Sequence, residues 1–69
     1  MIIGDNVLTN LHGRGVVVGF EDHSTMTLFE TDTQPEHHEY RIMVKFPFNP
    51  YPHKTDVLYM FRWEMEVVL

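Results

Sequence analysis

Histidine and acidic side chains concentrate in one loop of the chain. Within residues 30–39, six of ten positions are Glu30, Asp32, Glu36, His37, His38 and Glu39. Imidazole and carboxylate groups are ligands for zinc, nickel and copper in proteins. Neighbouring residues of an extended segment point to opposite faces, and neither a cysteine nor a regularly spaced third ligand accompanies His37 and His38. The pattern therefore favours a solvated acidic loop over a metal site, and we expect no cofactor.

Nucleophilic catalysis is the second chemistry that these residue types would allow. The chain has no cysteine, and its lone serine, Ser24, adjoins His23 only in sequence. His12 precedes a Gly-Arg-Gly turn, where we expect it to hydrogen-bond across the turn and brace it. No pattern marks an oxyanion-binding cradle. We therefore predict that the protein is not an enzyme.

Aromatic side chains in two places could bind a partner. The loop at residues 47–56 carries three prolines, which enforce an extended backbone and would hold Phe48 and Tyr51 outward at little entropic cost. The alternative, which we slightly favour, is that this loop folds back to cap one end of the core. Trp63 precedes the last predicted strand. It would either seal the core, which we favour, or stand out as a binding hot spot.

The elements that position these side chains are predicted to be β-strands. Alternation of apolar and polar residues, with turn residues between the runs, places five strands at residues 5–11, 15–21, 25–31, 39–46 and 57–61, with a short return strand at 66–69. The fourth is the clearest, because Tyr40, Ile42, Val44 and Phe46 alternate with polar or flexible neighbours. The only helix-like piece is a single turn near Arg62, typical of a 3₁₀ turn.

Glycines determine the predicted bends. Asp5, after Gly4, can accept a backbone N–H within its own turn. Gly13 and Gly15 follow His12 and offer two positions where a positive φ carries no Cβ penalty. Val7, Thr9 and Leu11 would share one face of the first strand. Gly19 is placed for a bulge that would let Val17 and Phe20 both face the core in a strongly bent strand, as a small barrel requires.

These motifs resemble a known domain family. The order Gly-Asp-x-Val, His-Gly-x-Gly, a valine pair and a Gly-Phe step is similar to the opening of SH3-like Tudor domains. The nearest in pattern are the RNA-polymerase-interacting domains of CarD-type regulators and transcription-repair coupling factor, and the C-terminal Tudor domain of UvrD/PcrA helicases. Residues 39–46 resemble their central strand, and residues 58–68 their closing strand, turn and final strand. The resemblance implies one all-β, SH3-like barrel over residues 1–69.

The resemblance also implies a function. Such domains dock onto large enzymes, so we expect a protein-interaction module whose partner is a transcription or replication enzyme such as RNA polymerase or a helicase. Docking would extend a sheet edge, with the second strand and the fourth strand as donors. The residues expected to contact the partner are Phe48, Tyr51, Val16, Val18, Arg41, Met43 and Trp63. The loop at 47–56 is longer than the short hairpin of the relatives.

Net charge separates this function from nucleic-acid binding. Ten acidic residues against five basic ones give a net charge of −5, and the basic residues lie in separate segments. A surface that follows phosphates needs clustered Lys and Arg. A modest basic patch would form only if the sheet brought Arg41, Lys45 and Arg62 together. KOW-like nucleic-acid binding is therefore the alternative function.

Size and composition fit one small domain. In 69 residues, 43% are hydrophobic and 13% aromatic, which is enough for a dense small core. With no cysteine, no signal peptide and no apolar run of membrane-spanning length, we expect a cytoplasmic protein. The abrupt end at Leu69 suggests a small accessory or phage-encoded protein. A metal-binding His/Glu loop in such a protein is the lesser alternative.

Overall fold

The computed structural model describes residues 1–36, 39–47 and 56–68, and its elements are β-strands joined by tight turns. The strands are β1 (Asn6–Thr9), β2 (Gly13–Asp22), β3 (Thr27–Leu28), β4 (Tyr40–Lys45), β5 (Val57–Met60) and β6 (Met65–Val68). One 3₁₀ turn, Arg62–Glu64, lies between β5 and β6, as predicted. The all-β prediction is confirmed.

All strands belong to one antiparallel sheet in the order β5-β4-β2-β1-β6, with β3 paired to the far end of β2. Among the described residues, no ladder joins β6 back to β5, so the sheet is open. β2 has paired neighbours on both sides over most of its length. β4 lies on one side, and β1, the Val17–Asp5 backbone bond and β3 lie on the other.

This order corrects the predicted mode of docking. β2 and β4 are interior strands, because β4 pairs with β2 on one side and with β5 on the other. Neither can add a strand from a partner. Within the described ranges, the strands that pair along one side only are β3, β5 and β6.

A bulge in β2 changes which residues face the core. Val17 lies opposite Val44, whereas the next paired residue, Gly19, lies opposite Met43, so Val18 is the extra residue. Val17 and Phe20 are both fully buried. The bulge predicted from Gly19 is therefore confirmed.

One face of the sheet carries the hydrophobic core. Its members are Val7, Val17, Phe20, Ile42, Val44, Phe46, Met60 and Met65. The period-two alternation predicted for β4 is confirmed, because Ile42, Val44 and Phe46 are buried and Tyr40 packs against them. Burying these side chains is the main favourable contribution to folding in a domain of this size.

Two strand predictions were too long. Residues 25 and 26 lie in the turn after β2, and only Thr27 and Leu28 form ladder pairs with it. β1 ends at Thr9, so Leu11 falls in the following turn and is 84% exposed rather than facing the core with Val7. The reason is that the turn between β1 and β2 begins at Asn10, three residues before Gly13, the first of the glycines that predicted it.

The turn residues divide into two kinds. Gly4 and Gly13 have φ of +97° and +74°, as a tight turn requires. Gly15 is not among the residues of positive φ, so its predicted turn role is wrong. It is a buried strand residue, and a Cβ there would overlap the Val44 side chain. Asp5 accepts the N–H of Ile2 on Oδ2 at 3.0 Å, as predicted.

Candidate functional site

The outer face of the sheet, opposite the core, carries the larger share of the predicted partner-binding residues. Val16 and Val18 of β2 are 37% and 38% exposed, and the half-buried Met43 of β4 lies beside them, opposite Gly19 across the bulge. Tyr59 of β5 lies opposite Met43 and is 43% exposed. The strand alternation thus gathers Val16, Val18, Met43 and Tyr59 into one apolar surface, here called the outer-face surface.

A shallow groove of about 390 Å³ crosses this face. Val16, Val18, Phe46 and Pro47 form its apolar lining, together with Gly15. Asn6, Arg14 and Lys45 supply its polar rim. An apolar floor with a polar rim is the arrangement typical of protein-binding surfaces.

Arg41, predicted to contact a partner, is already paired within the protein. Its Nε and Nη2 donate to Glu21 Oε1 at 2.8 and 2.6 Å, and the Glu21 side chain is only 7% exposed. The guanidinium also lies 5.1 Å from the centre of the Tyr59 ring. Glu21 and Arg41 lie opposite each other in the β2–β4 ladder. Arg41 therefore orders this face, and direct contact with a partner stays a prediction.

Lys45 and Arg62, the other two cations predicted for a basic patch, also have partners within the protein. Lys45 lies 3.8 Å from Asp56 Oδ2, and Arg62 Nη1 donates to the Met65 carbonyl at 2.8 Å. Each of the three cations named for such a patch thus faces a carboxylate or a carbonyl of the protein itself. Phosphate binding by Arg41, Lys45 and Arg62 would have to compete with these internal contacts, and it stays an alternative prediction.

Trp63 does not seal the core. It is 76% exposed in the 3₁₀ turn and stacks on Phe61, with ring centres 6.0 Å apart and planes 5° apart. Phe61 in turn meets His23 edge-on at 5.6 Å. Sealing was the wrong prediction because Met60 and Met65 already close this end of the core. The alternative, that Trp63 binds a partner, stays a prediction.

The turn between β1 and β2 is braced by a residue that the sequence pattern did not indicate. Thr9 Oγ1 donates to the Gly13 carbonyl at 2.8 Å and accepts the His12 N–H at 3.0 Å. The imidazole of His12 lies against the Phe46 ring at 5.8 Å instead of crossing the turn. A buried threonine at the end of a strand beside a glycine turn is the signal that would have found this brace.

Several predicted sites fall outside the described residues. They are Phe48 and Tyr51 of the proline-rich loop and His37 and His38 of the acidic loop. In the part of the chain that the structure describes, no three His, Asp or Glu side chains form a group that could hold a metal ion. Over the same residues, no helix is long and apolar enough to cross a membrane.

Comparison with family models, with curated proteins and with solved structures gave no match.

Proposed function

We propose that this chain is an SH3-like, Tudor-type domain that acts as a non-enzymatic protein-interaction module. The observation that carries the proposal is the outer-face surface. Its residues Val16, Val18 and Tyr59 are each more than a third exposed, and the two valines belong to β2, an interior strand of the sheet. The partner that we propose is a transcription or replication enzyme, such as RNA polymerase or a helicase, because the chain resembles domains that dock onto such enzymes.

Docking by the face of the sheet replaces docking by an edge of β2 or β4. A partner that packs on Val16 and Val18 would bury β-branched side chains that have few rotamers to lose, so little side-chain entropy would be lost. The Glu21–Arg41 pair adjoins this surface, and the contact of the Arg41 guanidinium with the Tyr59 ring orders one end of it. Arg14 and Lys45 lie at its rim, where charges influence the association rate more than the affinity.

Nucleic-acid binding is the weaker alternative. With a net charge of −5, the chain repels phosphates, and the cations proposed for a patch have partners within the protein. We expect duplex DNA to bind with a Kd weaker than about 10 µM at 150 mM salt, near ordinary non-specific affinity.

Biolayer interferometry with the immobilised chain tests the proposal against three purified analytes: RNA polymerase, a UvrD-type helicase and a 20-base-pair duplex. We expect one of the two proteins to bind. Val16→Glu and Met43→Glu should each weaken that binding at least tenfold, because a charge would be buried in the interface.

Ile2→Glu is the matched control, since it adds the same charge at a residue that is 50% exposed and lies outside the strands of the sheet. It should bind like the unmodified chain, and circular dichroism should give all variants the same spectrum. The proposal is refuted if neither protein binds, if the duplex binds with sub-micromolar affinity, or if Ile2→Glu weakens binding as much as Val16→Glu.

A further inference from the structure

A second concave site lies at the end of the sheet where the 3₁₀ turn meets the hairpin between β1 and β2. It is a hollow of about 320 Å³, lined by Asn10, Leu11, Met60, Trp63 and Glu64. Its volume falls at the lower end of the range of small ligand sites, about 300–1,000 Å³. None of its lining residues lines the groove of the outer face. The two sites are therefore separate in composition.

The walls of this hollow are fixed by the fold. The Asn10 N–H donates to the Glu64 carbonyl at 3.0 Å, which joins the hairpin to the 3₁₀ turn. The β1–β6 ladder continues this connection through the pair Thr9 and Met65. The Trp63 ring stacks on the Phe61 ring, which restricts its orientation. Binding would thus require little ordering of the backbone.

The apolar lining is unusually exposed. Leu11 is 84% exposed and Trp63 is 76% exposed, the highest values among the large hydrophobic side chains of the described residues. Met60 is 5% exposed and forms the floor. Exposed tryptophans beside a concave surface are the residues most often found as binding hot spots.

Charge decides which ligand fits. Among the residues that the structure describes, Glu64 is the only charged one in the lining. Its Oε2 accepts the Phe61 N–H at 2.7 Å, and a carboxylate has lone pairs for further donors. The face of an indole ring attracts cations as well. A hollow whose lining combines the apolar side chains of Leu11 and Met60 with a carboxylate and an indole ring matches a long aliphatic side chain that ends in a positive charge.

We propose that this hollow binds a lysine or arginine side chain of a basic polypeptide partner. The methylene groups would pack on Leu11 and Met60, and the charged end would lie between the Glu64 carboxylate and the Trp63 ring. The net charge of −5 favours the approach of such a segment and disfavours nucleic acid. This site does not depend on the outer-face surface, so either proposal can fail without the other.

Trp63 is the only tryptophan of the chain, so a change in its fluorescence reports a ligand that binds beside it, and the Glu64 variant below assigns that ligand to this hollow. The probe is the peptide acetyl-(Gly-Lys)3-Gly-amide, with norleucine and glutamate versions of the same length as controls. We expect the lysine peptide to change the Trp63 emission in a saturable way and to bind at least fivefold more weakly at 500 mM than at 50 mM salt. The control peptides should bind at least tenfold more weakly than the lysine peptide.

Glu64→Gln separates a charge effect from a folding effect. The amide oxygen can still accept the Phe61 N–H, so the turn should persist while the charge is lost. This variant should weaken binding of the lysine peptide at least threefold. Glu30→Gln, which removes an exposed carboxylate outside the hollow, should change that affinity by less than about twofold. The proposal is overturned if the norleucine peptide binds as tightly as the lysine peptide, if Glu64→Gln changes nothing, or if no peptide alters the emission.

Discussion

Replacing Gly15 with alanine should destabilise the protein through crowding rather than through backbone strain. An added Cβ would overlap Val44 Cγ1 and lie 3.0 Å from Phe46 Cε1 and 3.1 Å from the Lys45 carbonyl oxygen. The first two belong to the core, and the third belongs to the backbone of the β2–β4 ladder. None can move away without disturbing buried packing.

The size of the effect follows from these contacts. Overpacking of a well-packed core costs about 1–3 kcal/mol. Because a backbone oxygen is involved, we expect the upper half of that range, about 2–3 kcal/mol. A domain of this size has a total stability of about 3–10 kcal/mol. Its Tm changes by about 4–8 °C per kcal/mol. Gly15→Ala should therefore lower the Tm by about 10–20 °C in a thermal melt followed by circular dichroism.

Asparagine substitutions separate crowding from strain. At Gly13, which has φ of +74° and no heavy atom within 4 Å of an added Cβ, asparagine should cost less than about 1 kcal/mol because it tolerates the left-handed region. At Gly15, asparagine should be at least as harmful as alanine. Gly19→Ala is a further control, since the nearest atom there is the flexible Met43 Sδ at 3.2 Å. A Gly15→Ala melt within 3 °C of the unmodified protein would refute the reasoning.

Two other perturbations test buried polar groups. Arg41→Met should lower the free energy of unfolding in urea by about 3 kcal/mol, because it leaves the Glu21 carboxylate buried without its partner. The double variant with Glu21→Leu should recover part of that loss. A double variant less stable than Arg41→Met would contradict this expectation. Burial raises the pKa of Tyr40 above the ordinary value of 10.0, against the opposing effect of Arg62. The unfolded chain therefore loses the phenol proton first, so the free energy of unfolding should fall as pH rises above about 10 and should fall less in Tyr40→Phe. Urea unfolding at pH 8 and 10.5 measures how much free energy of unfolding the unmodified protein and Tyr40→Phe each lose. Equal losses in the two proteins would rule out a role for Tyr40.

The strands that alternate cleanly were the predictable part of the fold. β4 and the bulge of β2 follow from period-two burial and from one glycine, and both are local signals. The length of the third strand could not be predicted, because Thr25, Met26 and Phe29 are compatible with a strand. Thr25 and Met26 are outside the strand because they lie in a turn. In that turn, Met26 has φ of 60° and donates its N–H to the Asp22 carbonyl.

The candidate site was only partly predictable for a similar reason. Alternation places Val16, Val18 and Met43 on the outer side of their strands, but it does not indicate which strands are interior. Strand order depends on pairing between distant segments, so the edges assigned to β2 and β4 were wrong. Trp63 was misassigned because a single aromatic residue before a strand does not reveal whether the core already has enough apolar volume.

The single extra residue at Val18 makes β2 more sensitive to a change in length than to a change in side chain. Before it, odd-numbered residues such as Val17 face the core; after it, even-numbered residues such as Phe20 do. As far as folding is concerned, the side chain at position 18 can vary in chemistry, because it is 38% exposed. Deleting it would restore strict alternation and force either Val17 or Phe20 into water. An insertion or deletion here inverts half of a strand, whereas the same event in the turn after β2 would alter only the connection to β3.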